Sequence, residues 1–423
     1  MPSPLPSPGT ALHVSVVTET YPPEINGVAI TVARLVRGLR ADGHAVTVTR
    51  PWQSGDHAAP HAPATAAGAD VLTRGIPIPR YPGLKAGLPC GRRLRRLWRE
   101  QRPDVVHVAT EGPLGWSAVQ AARALSIPCV SEFRTNFHAY SEHYGIGFLR
   151  GLVLGYLRRF HNRCHATMAP TDSLARSLAS EGFERLHVVG RGVDTGLFNP
   201  GRRSEALRRS WGAGPGDIVV LSVGRIAPEK NLGLLERSAA AIAAARPDSR
   251  MVVVGDGPCR AALQGRWPSA VFVGKQRDDA LAAHYASGDL LLFPSLTETY
   301  GNVTLEAMAS GLGVVAFDYG AAAEAIQHGR SGWLAPHGDA TAFVAAAVRA
   351  ATHAGELACA RTAAAAESAR LGWGRVLEDL VAVYRHAIRD GLQPGQRAPA
   401  STPGWTRPGA ACDVGTSMPE GTP

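Results

Sequence analysis

Short apolar, β-branched segments alternate with helical segments along the chain, and this alternation starts twice. The first series begins with LHVSVVTE at Leu12 and continues with AVTVTRP, PDVVHVAT, PCVSEFRT and ATMAPT. The second series begins with DIVVLSVGRI and continues with SRMVVVGDGP, AVFVGK, LLLFPS and GVVAFD. Strands that alternate with helices of this length pair in parallel. The sequence therefore predicts an α/β fold of two doubly wound, Rossmann-like domains that face a central cleft.

The domain boundaries follow from the point at which the series restarts. With 423 residues the chain suits two domains of ordinary size. We expect a disordered segment over 1–11, a first domain over 12–195 and a second domain over 196–373. A helix over 374–391 is expected to pack back on the first domain, and the Pro-, Gly- and Ser/Thr-rich tail over 392–423 is expected to be disordered.

The chain is basic, with a formal net charge of +9 and a pI of about 9.6. This charge favours anionic partners such as phosphorylated substrates, acidic lipids or nucleic acid. Because no groove motif that combines aromatic and basic residues accompanies the charge, we expect no nucleic-acid partner. The six cysteines form no C-x-x-C pair, and neither a secretory signal nor an apolar run of about 20 residues is found. We expect a cytoplasmic protein with reduced thiols.

The loop in LSVGRIAPEKNL places two cations after a strand and a glycine. Gly224 permits a tight turn, and Arg225 and Lys230 follow before a helix begins. An Arg fork and a Lys point charge at the carboxyl end of a strand are suited to hold a diphosphate. The alternative is a solvated loop in which the two cations pair with Glu229 or with nothing.

The segment VVVGDGPCRAAL resembles the start of a dinucleotide site, because G-x-G follows a strand. However, Arg260 stands where such a site needs its third glycine. A bulky side chain at that position blocks close packing of helix on strand, which disfavours nicotinamide or flavin binding. We expect a tight turn and a wall of the cleft here.

Two carboxylates, Glu298 and Glu306, flank a turn in FPSLTETYGNVTLEAMASG. We expect Asn302 to cap the helix that follows, and the N–H groups of Gly301, Asn302 and Val303 to face an anion. Glu306 is expected in the first helical turn and Glu298 on the far side of the loop, so that both reach one pocket. The alternative makes Glu306 a partner of the helix dipole and Glu298 an exposed loop residue.

In order and spacing, SVGRIAPEKNL, VGDGP, FPSLTETYGNVTLEAMASGLGVVAFD and HGRSGWLAPHGD resemble the donor half of the retaining glycosyltransferases of family 4, which have the GT-B fold. Glu298 and Glu306 match the E-x7-E motif of that family. ETYPPEINGVAITVARLVRGLRADGHAVTV is similar to its first strand, glycine loop and second strand, and RGVDTGLF is similar to its interdomain segment. The likeness extends to bacterial GDP-mannose-dependent α-mannosyltransferases and to sulfolipid and glycolipid glycosyltransferases.

This resemblance implies roles for the residues of the motifs. Glu306 is expected to accept hydrogen bonds from the ribose of a nucleotide, and Glu298 is expected to contact the donor sugar. The amides of 301–303, with Arg225 and Lys230, are expected to hold the diphosphate, and Asn26 and Gly27 to approach it from the opposite domain. Lys275 and Asp279 are candidates for recognition of the base. Preorganised N–H groups and cations stabilise the leaving diphosphate, so we expect no metal and no cofactor, and no D-x-D triplet is found.

On the acceptor side, SEFRTNFHAYSEHYGIGFL carries Arg134 where the family commonly has a His that lines the acceptor cleft. An Arg cannot act as a base at neutral pH, so we expect Arg134 to position a substrate. His138 is the candidate to replace the missing His, and the alternative is a packed or solvated His. The spacing of His161 and His165 would suit a metal, but no third ligand lies nearby in the sequence.

Two basic segments, LKAGLPCGRRLRRLWREQRP and FLRGLVLGYLRRFHNR, mix arginines with apolar residues. Such helices can lie on an anionic bilayer, with the apolar side inward, which would make the protein peripheral at the inner membrane face. The alternative is an ordinary amphipathic helix that packs on the first sheet.

The sequence thus predicts a retaining, metal-independent hexosyltransferase. Its donor is expected to be GDP-mannose or a UDP-hexose, and its acceptor a glycan or a lipid-linked glycan. Two alternatives remain open at this point. One is a sugar-nucleotide epimerase or hydrolase on the same fold, and the other, motivated by Arg134, is a catalytically inactive sugar-nucleotide-binding protein.

Overall fold

The computed structural model describes residues 10–24, 26–53, 56, 70–77, 85–134, 147–298 and 300–392. Their main architecture is two parallel sheets with helices on both faces, so the expected fold class is confirmed. Among the described residues, no helix combines the length and the apolar character needed to cross a membrane.

The first sheet has seven strands in the order β3-β2-β1-β6-β7-β8-β9, all paired in parallel. A separate antiparallel pair is formed by β4 and β5. The strands are β1 (His13–Val17), β2 (Ala45–Pro51), β3 (Val71–Thr73), β4 (Gly75–Pro77), β5 (Lys85–Gly87), β6 (Val105–Val108), β7 (Cys129–Glu132), β8 (Ala166–Ala169) and β9 (Leu186–Val188).

The helices of this domain bury one apolar stripe each against the sheet. They are α1 (Gly27–Ala41), α2 (Gly91–Glu100), α3 (Pro113–Ala124), α4 (Gly147–His161) and α5 (Asp172–Ser180). In α2, Leu94 and Trp98 are buried in the core, and the indole N–H of Trp98 donates to Ser15 Oγ at 3.2 Å. The apolar side of α2 is therefore occupied by the sheet, so its interpretation as a helix with that side in a bilayer is wrong.

The second sheet has six parallel strands in the order β12-β11-β10-β13-β14-β15. These are β10 (Ile218–Val223), β11 (Ser249–Val254), β12 (Val271–Gly274), β13 (Leu290–Phe293), β14 (Gly313–Phe317) and β15 (Trp333–Ala335). The helices around it are α6 (Glu205–Ser210), α7 (Leu232–Ala245), α8 (Arg260–Arg266), α9 (Asp278–Ala286), α10 (Asn302–Ala309), α11 (Gly320–Ala325), α12 (Ala340–Thr352) and α13 (Ala354–Ser368). Their side chains fill two apolar layers, one on each face of the sheet.

The final helix, α14 (Trp373–Leu392), packs against the first sheet and not against the second. Leu377, Leu380 and Tyr384 are buried there in one cluster with the strands β1 and β2. The chain crosses between domains twice at one place, where the N–H of Val193 donates to the carbonyl of Leu371 at 3.0 Å.

Both sheets reverse their strand order beside the first strand of the domain. The reversal lies between β1 and β6 in one sheet and between β10 and β13 in the other. Ligands of doubly wound sheets bind outside the carboxyl ends of the strands at such a reversal. The loops after these four strands are therefore where a site is expected.

Candidate functional site

The loops after the central strands of both sheets enclose a cavity of about 640 Å³. The first domain contributes the loops after β1, β6 and β7 and the start of α1. The second domain contributes Glu298, Tyr300, Gly301, Asn302, Val303 and Glu306. Both carboxylates of the E-x7-E pattern thus line one cavity between the domains.

The start of α10 differs from the expectation. Gly301, and not Asn302, is the residue that precedes the helix, and its φ of +95° lies in the left-handed region that glycine adopts without steric cost. Asn302 is the first helical residue, and its Oδ1 is buried without a hydrogen-bond partner among the described residues. The expected Asn302 cap is therefore wrong. Glu306 consequently falls in the second turn of the helix, and not in the first.

Glu306 is partly buried and is held by a neighbouring helix. The hydroxyl of Tyr285, on α9, donates to Glu306 Oε2 at 2.9 Å. Burial raises the pKa of the Glu306 carboxyl, and the hydrogen bond from Tyr285 partly opposes that rise. A partly buried carboxylate with one hydrogen bond from the protein retains acceptor capacity for hydroxyl groups that enter the cavity.

Glu298 connects two of the loops at the cavity. Its Oε1 accepts a hydrogen bond from Ser295 Oγ at 2.6 Å and forms an ion pair with Lys230 Nζ. The hydroxyl of Tyr319 donates to the Glu298 carbonyl at 3.2 Å. The alternative of an exposed loop residue is therefore wrong for Glu298.

Arg225 is less constrained than Lys230. Its side chain is 63% exposed, and Nη1 lies 3.7 Å from Glu229 Oε1. With Lys230 and Gly224 it lines a small pocket between the loops that follow β10 and β13. Arg225 therefore forms the ion pair with Glu229 that the alternative interpretation of this loop expected. Lys230 instead pairs with Glu298.

The glycines of VVVGDGP allow the loop after β11 to touch the loop after β10. A Cβ on Gly255 would lie 1.8 Å from the Gly224 carbonyl oxygen, and a Cβ on Gly257 would lie 2.3 Å from the Ile226 carbonyl oxygen. Arg260 pairs with Asp256 at 3.0 Å. The predicted tight turn is present, but these glycines do not line the interdomain cavity.

On the first domain, Asn26 caps α1 and faces the cavity. Asn26 Oδ1 accepts the N–H of Ala29 at 2.8 Å, and Nδ2 donates to Thr20 Oγ1 at 2.6 Å. A Cβ on Gly27 would meet no atom within 4 Å, because it would point into open space. Both α1 and α10 therefore present their N-terminal ends to the cavity, where helix dipoles favour an anion.

Sequence reasoning missed Glu19, which follows β1 and lines the cavity. Its Oε1 accepts the N–H of Leu114 at 2.9 Å, at the start of α3. A Cβ on Gly112 would lie 2.1 Å from Oε2, so a larger residue at position 112 would displace the Glu19 carboxylate. Burial raises the pKa of Glu19 to about 7, and this effect is larger than the opposing effect of the backbone N–H groups that donate to the carboxylate. Its position directly after a strand was the available signal.

Arg134 lies buried at the first-domain side of the cavity, where its Nη2 donates to Glu132 Oε2 at 2.5 Å. Arg191 and Glu132, which the sequence did not single out, lie beside it. His138 lies outside the described residues.

Lys275 and Asp279 do not line the interdomain cavity. Lys275 is exposed, and Asp279 pairs with Arg202 Nη1 at 2.6 Å on the surface. A role in contacting the base is therefore not supported for either residue by its position.

Neither His161 nor His165 is placed with further metal ligands. His161 Nδ1 is bonded to Ser131 Oγ at 2.9 Å, and His165 Nδ1 accepts the N–H of Cys129 at 3.1 Å. In the part of the chain that the structure describes, no group of three or more His, Cys, Asp or Glu side chains is placed to hold a metal ion.

The chain resembles known proteins in sequence along both domains. Residues 25–197 match the family described as Glycosyltransferase Family 4, and residues 217–353 match that described as Glycosyl transferases group 1. A GDP-mannose-dependent alpha-mannosyltransferase of Mycolicibacterium smegmatis is 38% identical over 350 residues, which are 81% of this chain and 88% of that protein. The protein of the same name from Mycobacterium tuberculosis is 35% identical over 388 residues, 89% of this chain and 97% of that protein.

A solved structure shares the whole fold. Anabaena Alr3699/HepE, in complex with UDP and glucose, superposes with a TM-score of 0.65 at 19% identity, over 88% of this chain and 99% of that one. The GT-B fold class and the family resemblance are both confirmed. With two relatives above 30% identity along most of its length, the chain is a glycosyltransferase and belongs to glycosyltransferase family 4.

Proposed function

We propose that this enzyme transfers a hexose from a nucleotide-diphospho-sugar to a glycan or lipid-linked acceptor, with retention of the anomeric configuration and without a metal ion. One observation carries the proposal. Glu298 and Glu306 both line the interdomain cavity, on either side of the N-terminus of α10. Carboxylates suit sugar hydroxyls, and a helix N-terminus suits a phosphate.

The donor lies along the second-domain wall in this proposal. Glu306 accepts the ribose hydroxyls, and Glu298 contacts the sugar. The N–H groups of 301–303, with Lys230 and Arg225, hold the diphosphate. The start of α1, with Asn26 and Gly27, closes over it from the first domain. Supporting this arrangement, α1 and α10 direct two helix N-termini at one cavity.

The reaction breaks the bond between the anomeric carbon and a phosphate oxygen, and the electron pair stays on the departing nucleoside diphosphate. The acceptor oxygen bonds to the anomeric carbon on the face that the phosphate leaves, and its proton passes to the phosphate. Preorganised N–H groups and cations stabilise the charge that develops on the leaving group. Arg134 positions a substrate on the acceptor side, since a guanidinium cannot take the proton.

GDP-mannose is the donor that we propose first. The two mycobacterial relatives, at 38% and 35% identity, are named for that donor. A UDP-hexose is the second candidate. Since a ligand that binds the folded state stabilises it more the further its concentration exceeds Kd, thermal-shift titration with GDP-, UDP- and ADP-sugars separates the candidates.

For the acceptor, we propose a glycan or a glycolipid at an anionic membrane surface on the cytoplasmic side. Support comes from α4, where Leu152 is 62% exposed and Val153 and Tyr156 are also exposed. Arg159 on the same helix is exposed as well. Apolar and basic side chains exposed together suit an interface with anionic lipid.

The activity test uses GDP-mannose with and without a panel of glycan and glycolipid acceptors, followed by product and anomer analysis. The proposal expects GDP release and an α-linked mannosyl product only when an acceptor is present. Conversion of the donor at equal rate without any acceptor would favour an epimerase or hydrolase. An inverted product would contradict retention.

A further inference from the structure

Two buried arginines share one carboxylate at the first-domain side of the cavity. Glu132 ends β7, Arg134 follows it, and Arg191 lies just before the chain crosses to the second domain. Each of the three is less than a tenth exposed. Arg134 and Arg191 both line the same cavity as Glu298 and Glu306.

The hydrogen-bond donors of Arg134 are largely unpaired among the described residues. Each guanidinium carries five N–H donors. Arg134 Nη2 donates to Glu132 Oε2 at 2.5 Å, whereas Nε and Nη1 are buried without a partner among the described residues. Arg191 Nη2 lies 3.7 Å from Glu132 Oε1, which is too far for a hydrogen bond. Buried donors without a partner are costly, so such donors in a ligand cavity point to an acceptor that enters it.

The charges around the two arginines do not cancel. Glu132 is the carboxylate that faces both guanidiniums, and His107 Nε2 lies 3.4 Å from the same group. These partners outweigh the effect of burial, so the pKa of Glu132 is far below its usual value. Glu132 is therefore ionised, and it balances one of the two positive charges.

A second carboxylate near Arg134, that of Glu111, contacts the backbone of Arg134 and the ring of His161. Glu111 Oε1 accepts the backbone N–H of Arg134 at 3.1 Å and lies 3.6 Å from His161 Nε2. Burial, and then the charge of Arg134, lowers the pKa of Arg191 to about 10. At neutral pH Arg191 still carries its charge. Two guanidinium groups therefore line the cavity, and among the described residues Arg134 Nε and Nη1 are donors without a partner.

We propose that Arg134 and Arg191 form a second anion-binding subsite, which takes an oxyanion group carried by the acceptor or by the transferred sugar. A phosphate, carboxylate or sulfonate offers the paired oxygens that a guanidinium fork binds in a bidentate manner. This inference rests on the proposed function, because it assumes that the diphosphate of the donor is bound by the second domain. In this proposal Arg134 binds the anionic group of the substrate and does not act as a catalytic base.

The position of the subsite separates it from the diphosphate site. Lys230 and Arg225 line a pocket between the loops after β10 and β13, in the second domain. Arg134 is fixed to the end of β7 by Glu132, in the first domain. The contact of this cluster with the second domain is made by Tyr300, in the loop that leads to α10, whose ring centre is 6.0 Å from the Arg191 guanidinium.

The test is a titration of inorganic phosphate into protein already saturated with GDP, followed by calorimetry. GDP occupies the diphosphate site, so phosphate reports on the second subsite alone. We expect wild-type protein to bind phosphate and Arg134→Gln to bind it at least tenfold more weakly, with Arg191→Gln similar. Arg99→Gln, a change of an exposed arginine on α2, is the matched control and is expected to leave the affinity unchanged.

Two outcomes overturn the inference. One is equal phosphate affinity in wild type and Arg134→Gln. The other is a loss of GDP affinity in Arg134→Gln as large as the loss of phosphate affinity, which would assign the arginines to the diphosphate. If wild-type protein binds UDP and not GDP, UDP replaces GDP in this titration. If it binds neither nucleotide, the proposed function fails instead.

A second variant controls for folding. Glu132→Gln combined with Arg134→Gln removes one charge of each sign, so it retains the charge balance of the buried cluster. This double variant is expected to fold, to bind GDP and to lose phosphate binding. Comparison of wild type with Arg134→Gln then identifies which substrate carries the anion. If Arg134→Gln weakens binding of a nucleotide-hexuronate but not of a neutral nucleotide-hexose, the anion belongs to the transferred sugar. If inorganic phosphate competes with the acceptor in wild type but no longer in Arg134→Gln, the anion belongs to the acceptor.

Discussion

Lys230 and Glu298 form an ion pair that joins the loop after β10 to the loop after β13. Neither side chain is more than about a quarter exposed, and Ser295 Oγ holds the same carboxylate oxygen of Glu298. The cation that we assign to the diphosphate is thus fixed in place by the carboxylate that we assign to the sugar. In the proposed arrangement, one connected pair of side chains contacts both the diphosphate and the sugar of the donor.

We expect Lys230→Ala to lower the affinity for GDP by about 10- to 100-fold, because a hydrogen bond to a charged group contributes about 1.5–3 kcal/mol. Glu298→Gln is expected to weaken GDP binding less than Lys230→Ala does, and to reduce turnover of the nucleotide sugar. Arg237→Ala, on the exposed side of α7, serves as the control. Calorimetry with GDP checks the first effect. Equal GDP affinity in Lys230→Ala and Arg237→Ala would remove Lys230 from the diphosphate site.

Replacement of Glu306, the carboxylate on α10, has a larger expected effect. Glu306→Ala is expected to abolish transfer and to weaken nucleotide binding by about 10- to 100-fold, since it deletes a charged acceptor for hydroxyl groups. Tyr285→Phe removes only the hydrogen bond that orients Glu306, and the expected loss is below about tenfold. Turnover of both variants with saturating donor is the measurement. Full turnover by Glu306→Ala would contradict the assignment.

A pair of glycines distinguishes the cavity from its supporting loops. Gly27→Val places its side chain in open space at the cavity, so we expect an unchanged melting temperature and weaker donor binding. Gly255→Ala is expected to lose about 1–3 kcal/mol of stability, because φ is +146° and the new Cβ would meet the Gly224 carbonyl. Thermal unfolding and GDP titration measure the two effects. A destabilised Gly27→Val with normal GDP binding would contradict the open position of Gly27.

The buried carboxyl of Glu19 makes stability depend on pH. Its pKa is raised from 4.5 to about 7 in the folded protein, so the unfolded chain ionises first as the pH rises. The free energy of unfolding therefore falls between about pH 4.5 and 7, and the loss persists above pH 7. Glu19→Gln removes this loss, and its stability relative to wild type is expected to rise by up to about 3 kcal/mol across that window. Urea unfolding at a series of pH values measures the difference, and a pH-independent difference would contradict the assigned pKa.

Much of the architecture could be predicted from the sequence because strand and helix periods are local properties. The ten strands named from apolar runs are all present, and the E-x7-E pattern led to the cavity. Five short strands, β3, β4, β5, β9 and β15, were missed, since segments of three residues give too little periodicity to detect. The cap of α10 was assigned to Asn302 from side-chain preference, whereas a positive φ placed Gly301 there.

The cluster of Glu132, Arg134 and Arg191 could not be predicted. Arg191 lies far along the chain from the other two, and only the fold brings its guanidinium to the end of β7. Burial of a charged side chain is also a tertiary property, so Arg134 alone could not show that its donors face a cavity. The candidate roles of Lys275 and Asp279 in recognition of the base stay predictions, and their proximity in sequence to the second-domain motifs did not place them at the interdomain cavity.

The return of α14 to the first sheet has a consequence for biosynthesis. Leu380, Tyr384 and Ala387 complete an apolar layer whose other members include residues of α1 and of the strands β1, β2, β6, β7 and β8. A ribosome therefore releases the whole second sheet before α14, the last helix to cover the first sheet, is synthesised. During that interval the first domain has an exposed apolar surface, and the second domain can reach its native packing first.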